Sequence, residues 1–289
     1  MGELFVSGGV TAAMSSLSRV SPTRCRLPLA LAAIVLASSV GSSVSAQAAA
    51  DTQVSATNGA QVKTALRLPA NAAVVPFAVG EKLDYEVRFG SIKVGNGSME
   101  VRDLVDVRGA ITWHTVFRIK GGIPLYRVND SYESWFDVVT LTSRRFYQDI
   151  DEGSYERKRR YEFFTDRGMY QENDKPEQPT VAAPLDDGSF LYFVRTIPLE
   201  VGKEYAFSRY FNPASNPVTI KVLRRETIKV PAGTFNTVVL QPTFKTKGIF
   251  SENGKAEVWI TDDDRRMMVQ MKSKLSIGSL NLYLRGSSK

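Results

Sequence analysis

From about Phe77 onward, apolar and polar positions alternate with period two. Leu83, Tyr85, Val87 and Phe89 fall on one face and Asp84, Glu86 and Arg88 on the other, the pattern of a half-buried β-strand. Gly90-Ser91 turns into a second strand, Ile92–Val105, whose Gly95 and Gly97 predict a bulge or a close backbone approach. After Gly109-Ala110, Trp113, Thr115, Phe117 and Ile119 share one face of Thr112–Lys120. Strands continue through Tyr126–Val139, Leu141–Asp149, Ser154–Phe164 and Gly168–Glu172, and the proline-bearing stretch Asn173–Pro184 reads as a loop. The pattern returns in Glu204–Phe211, Val218–Val230, Phe235–Thr246, Lys255–Thr261, Arg266–Lys274 and Ser279–Arg285, with Pro231-Ala232-Gly233-Thr234 as a turn. One segment departs from it. Asp187–Thr196 carries a compact apolar run behind the Asp186-Asp187 pair, and predicts a short helix capped by an aspartate. About thirteen strands and one helix predict an all-β, mostly antiparallel fold, a curved sheet in half-barrel or sandwich form.

The first residues follow different physics. Arg19, Arg24 and Arg26 precede an apolar run of eleven residues, Leu27–Ala37, and the small residues Val44-Ser45-Ala46 or Ala46-Gln47-Ala48 follow. This is the layout of a cleavable export signal, too short to span a bilayer, with Met14 as an alternative start. The expected organisation is therefore a signal over 1–46, a flexible leader over 47–76 and a single β-rich domain over 77–289. Cys25 is the only cysteine. It precedes the apolar run, whereas a lipid anchor needs its cysteine just after, so the exported protein is expected to be periplasmic, soluble, not lipidated and free of disulfides. Removing the signal takes away three of the 37 Lys/Arg and one of the 30 Asp/Glu, which lowers the net charge from +7 to +5. That excess gives a weak pull toward anionic surfaces and lacks the concentrated stripe of a nucleic-acid binder.

Candidate chemistry is sparse. His114 is the only histidine, and its strand position predicts a solvated surface residue; a histidine-rich zinc site is impossible and any Ser-His-Asp triad would have to be built on it. Asp262-Asp263-Asp264 before Arg265-Arg266 reads as a charged turn, without the alternating spacing of an EF-hand. Asp186-Asp187 reads as the cap, with a glycosidase-like carboxylate pair as the alternative. No nucleotide loop, nucleophile elbow or metalloprotease helix is present, so no catalytic, metal or cofactor residues are assigned and enzymatic function is not expected.

Aromatic density is more informative, because the stretch from Tyr132 to Tyr170 holds more rings than one thin sheet face needs. One reading is core packing. The other is a concave face that accepts an apolar or amphipathic ligand, with Trp135, Phe136, Tyr147, Phe163 and Trp259 as lining, Arg157 or Arg159 as headgroup contacts, and Gly121–Leu125 as a loop at the rim. Cross-strand ion pairing is the plainer account of the Arg157–Arg160 run.

Several landmarks recur together: Gly80-Glu81-Lys82-Leu83-Asp84-Tyr85, Pro184-Leu185-Asp186-Asp187, Leu191-Tyr192-Phe193-Val194-Arg195, Pro231-Ala232-Gly233-Thr234-Phe235, Val258-Trp259-Ile260-Thr261-Asp262-Asp263 and Ile277-Gly278. In this order and spacing the chain resembles the exported bacterial family classified as domain of unknown function 3108. The resemblance implies a periplasmic, mostly β protein and no activity. A looser likeness, at the level of fold, is to half-barrel periplasmic carriers of lipoproteins and lipids. The expected function is a non-enzymatic periplasmic carrier of a lipid-like ligand. The alternatives are an envelope assembly factor working through protein contacts and, behind it, a glycan hydrolase built on Asp186, Asp187 and Asp262–Asp264.

Overall fold

A computed structural model describes residues 66–123, 126–244, 256–275 and 278–288. The proposed signal and most of the leader lie outside the described residues, as do Pro124 and Leu125 of the rim loop and Ile277. Among the described residues fourteen strands follow one another: β1 (Lys82–Phe89), β2 (Ile92–Val107), β3 (Ala110–Ile123), β4 (Tyr126–Asp137), β5 (Ser143–Glu152), β6 (Tyr155–Phe164), β7 (Met169–Glu172) and β8 (Gln178–Pro179), then α1 (Asp187–Phe193), then β9 (Glu204–Phe207), β10 (Val218–Val230), β11 (Gly233–Thr243), β12 (Glu257–Thr261), β13 (Met268–Leu275) and β14 (Gly278–Ser288). They form one antiparallel sheet in the order β8-β7-β6-β5-β4-β3-β2-β1-β14-β13-β12-β11-β10-β9. Each half is a meander, and the two halves join where β1 pairs with β14.

Alternation decides which face is inner. Leu83, Tyr85 and Val87 of β1 are almost fully buried while their neighbours are not, and each such side chain contributes about 1.5–3 kcal/mol by leaving water. A sheet this wide must coil, and the residues permit it at defined places. Gly95 lies opposite Gly121, and a Cβ on Gly95 would sit 2.3 Å from the Lys120 carbonyl oxygen. The expected close backbone approach is thus present, and beside it β2 carries an irregularity against β1 between Val87 and Arg88.

Helix α1 lies inside the curve. Asp186 caps it by accepting from the N–H groups of Gly188 and Ser189, both at 2.8 Å, and its own N–H donates to Ser189 Oγ at 2.9 Å. Phe190, Leu191, Tyr192 and Phe193 are all buried; a helix apolar all round belongs in an interior. It is shorter than the Asp187–Thr196 segment read from sequence, because Val194 ends it.

The sheet is not closed by a ladder. Its free ends, β8 and β9, are joined instead by the segments that follow them. Leu185 N donates to Arg209 O at 2.6 Å, Phe211 N donates to Leu185 O at 3.1 Å, and Thr180 Oγ1 donates to Phe211 O at 2.7 Å. The Phe211 ring packs on Tyr161, Phe163 and Tyr170 at 5.2–5.6 Å. This suture explains why the strand expected over Glu204–Phe211 stops at Phe207: the next residues leave the sheet to bridge it.

Candidate functional site

The two ends of the coiled sheet differ in chemistry. One end, at the turns β2–β3, β4–β5 and β12–β13, is sealed. Phe77 meets Trp113 and Tyr192 edge-on at 5.4 and 5.1 Å. Beneath it Arg195, with no exposed surface, donates to both oxygens of Glu81 at 2.6 and 3.0 Å and to the carbonyls of Arg265 and Arg266 at 2.9 and 2.8 Å. Several sequence landmarks are parts of this seal: Glu81, the Asp186 cap, Tyr192, Arg195 and the Asp262–Arg266 turn. In that turn Asp263 Oδ1 accepts from the N–H groups of Arg265 and Arg266 at 3.1 Å, and Asp262 pairs with Arg225 at 2.8 Å. Asp186 is spent on its cap and on the hydroxyls of Ser134 and Ser143 at 2.8 and 2.7 Å, and burial pushes its carboxyl up to about 6. Asp186, Asp262 and Asp263 are thus each committed to a cap, an ion pair or a turn.

Toward the opposite end the inner face of β3–β6 turns polar, and Asp187 and Arg157 reach the surface there. Register places Phe117, Tyr132, Gln148 and Arg159 in one inward row and Ile119, Asp130, Ile150 and Arg157 in the next. Asp187, at the first turn of α1, projects toward the first row. Gln148 Nε2 donates to Asp187 Oδ2 at 3.1 Å and the Tyr210 hydroxyl donates to Oδ1 at 3.0 Å. Asp187 is exposed at the surface, with protein on the sides that Gln148 and Tyr210 occupy. That enclosure raises its carboxyl, partly offset by the Tyr210 hydroxyl and Arg159. Arg159 donates from Nη1 to the Tyr161 hydroxyl at 3.1 Å, while its Nε and Gln148 Oε1 are buried without a hydrogen-bond partner among the described residues. Burial holds the Tyr132, Tyr161 and Tyr210 phenols up, so all three are neutral donors near pH 7. Asp130 is held up to about 7 by burial, reinforced by Glu152 and partly offset by the N–H of Asp151.

The residues singled out from sequence divide between faces. Arg157 and Arg159 lie on the concave face; Arg157 is exposed and 3.6 Å from Glu172. Phe136 and Phe163 are 1% and 0% exposed and belong to the packed interior, so neither lines an opening. Trp135 and Tyr147 alternate with inward residues and face outward. His114 departs from the solvated residue expected: its ring stacks on Trp135 at 4.5 Å, and its nitrogens lie 2.8 and 3.2 Å from Asp103 and Glu133. A wide sheet lets large outward side chains cover one another, which strand parity alone does not show. Among the described residues no cluster of three or more His, Cys, Asp or Glu could hold a metal.

Trp259 also faces outward, in a depression of about 490 Å³ shared with Glu257, Lys272, Asn281 and Tyr283. Its Nε1 donates to Glu226 at 2.5 Å, and Lys272 and Arg224 lie 5.2 and 5.9 Å from the ring centre. With only 4% of Trp259 exposed, no ring face is left for a ligand to stack on. Sequence reasoning missed Tyr132, Gln148, Tyr210 and the outward-opening role of Asp187. A signal did exist: Asp130 and Tyr132 share the parity of the core residue Phe136, so polar groups stand at inward positions of β4.

No curated protein sequence matches the chain. Solved structures that resemble it include a β-barrel-like protein of the DUF1849 family from Brucella abortus, at 10% identity and TM-score 0.49 over 74% of this chain and 99% of that one, and a candidate lipoprotein from Parabacteroides distasonis, at 10% identity and TM-score 0.34 over 74% and 98%. No helix among the described residues is long and apolar enough to cross a membrane. Residues 84–285 match the sequence model of the family described as protein of unknown function DUF3108, nearly the whole coiled sheet, and the chain belongs to that family.

Proposed function

We propose that this protein is a non-enzymatic carrier that binds an amphipathic, lipid-like ligand outside the cytoplasm, with the ligand entering the open end of the coiled sheet. The observation that carries this reading is the contrast between the two ends. The sealed end satisfies its buried charge internally, as stable cores do. The open end keeps Asp187 in contact with water and leaves Gln148 Oε1 and Arg159 Nε unpartnered beside aromatic and aliphatic side chains. Such a mixture, an apolar wall with a few convergent polar groups, is the usual make-up of a small-molecule site. The export-signal layout of residues 1–46 supports a periplasmic location, where lipid traffic requires soluble carriers.

The test is to express the protein with its own signal, purify it from the periplasm without detergent and record its native mass. A reproducible extra mass, released by organic solvent and identified as a lipid, is the expected result. An apo mass, together with no uptake of added amphiphiles, would overturn the reading.

A further inference from the structure

The charges of the open end point to the polar head of that ligand, and the inference rests on the carrier reading above. Most basic residues of the surrounding strands are committed. Arg127 pairs with Asp151, Arg145 with Glu162, Arg157 with Glu172 and Lys158 with Asp149. Among the described residues Arg159 has no carboxylate within ion-pair distance; its guanidinium meets only the Tyr161 hydroxyl. Asp187 likewise has no lysine or arginine within that distance, and is held by two neutral donors, Tyr210 and Gln148. Both groups border Gln148, which lies opposite Arg159 in the β5–β6 register and donates to Asp187; Asp130, in the next inward row, is held up to about 7 and so carries only part of a charge near neutrality.

We infer that the open end recognises a zwitterionic headgroup, an ammonium joined to a phosphate, with the ammonium against Asp187 and the phosphate on Arg159. A guanidinium suits a phosphate because its planar donors match two oxygens at once. A carboxylate held by the neutral Tyr210 and Gln148 donors keeps its charge for an ammonium. Net charge selects the zwitterion over its parts. An anionic amphiphile would satisfy Arg159 and bring its charge against Asp187, and a cationic one would do the reverse. Each would leave one charge partly desolvated and unpaired, the costly arrangement in a low-dielectric setting. A polyol head would make hydrogen bonds but compensate neither charge.

Four amphiphiles with one dodecyl chain test this by calorimetry below their micellar concentrations: dodecylphosphocholine, dodecyl phosphate, dodecyltrimethylammonium and dodecyl maltoside. The expected result is that dodecylphosphocholine binds at least ten-fold more tightly than each of the others. Asp187→Asn is expected to weaken the phosphocholine and trimethylammonium probes about ten-fold while strengthening the phosphate probe. Arg159→Gln is expected to weaken the phosphocholine and phosphate probes and strengthen the trimethylammonium one. This crossing pattern separates charge recognition from a general loss of structure, which would weaken all four together. Maltoside binding as tight as phosphocholine, or two variants that shift all probes alike, would overturn the headgroup assignment and leave the carrier reading standing. Failure of all four to bind the wild-type protein would remove the carrier reading itself.

Discussion

At the scale of single residues, the buried charges divide into those that hold the fold and those held ready at the open end. Arg195 belongs to the first kind. Its two bonds to Glu81 and three to carbonyls satisfy most of its donors, so removing either partner strands a charge in the interior. Glu81→Ala or Arg195→Ala is expected to cost about 3–5 kcal/mol in chemical denaturation, the range for breaking a buried pair. Substituting Glu81 and Arg195 together with apolar residues should cost less than either single change. Asp130 makes a pH-dependent prediction. Its carboxyl rises from 3.8 to about 7 in the fold, so between those values the folded chain binds more protons than the unfolded chain. Stability must then fall as pH rises through that window, with the full penalty present above about 7. Asp130→Asn removes the penalty. Its advantage in melting temperature over wild type should be absent near pH 4, grow toward pH 7 and level off above; a constant difference across the range would contradict the assignment. Asp186 and Arg195 both stand within segments that suggested the family; the cap at Asp186 was legible from sequence, whereas the pairing of Arg195 with Glu81 is only visible in the fold.

At the scale of elements, period-two alternation made most strands legible, because burial on one face is a local property of a strand. It also assigned Arg157 and Arg159 to the face of Tyr161 and Phe163, as the register of β5 with β6 requires. Two departures have local causes. The stretch Asn173–Pro184 contains β8, only two residues long and ending in a proline, which is too short for any periodicity to register. The helix was legible through its cap and its apolar run, but not its setting. A Cβ on Gly188 would lie 2.9 Å from Ser134 Cβ and 3.6 Å from the Phe146 ring, so α1 is pressed onto β4 and β5 with no spare room. Gly188→Ala is therefore expected to destabilise the protein by about 1–3 kcal/mol despite alanine's better helix propensity. A neutral or stabilising result in thermal melts would mean that α1 sits farther from the sheet.

At the scale of the whole molecule, closure of the coiled sheet depends on side chains and loops rather than on a strand ladder. Phe211 is the centre of that suture, and Phe211→Ala is expected to cost about 3–5 kcal/mol. The loss should appear first in hydrogen exchange as lowered protection of β6–β8, because these strands form one free end of the sheet. Equal loss of protection in β1 and β14 at the centre would instead indicate global unfolding. The amino-acid sequence by itself determined the β architecture, the capped helix and the membership suggested by spaced landmarks, since alternation, capping and turn chemistry act between residues close in the chain. Tertiary structure alone decided which aromatics are sealed and which positions surround the open end. Phe136 and Phe163 went to the core, Trp135, Tyr147 and Trp259 to the outer face, and Asp187, Gln148, Tyr210 and Arg159 converged from four separate segments. Those choices rest on how far the sheet coils and where its free ends meet, distances set by contacts between residues far apart in sequence.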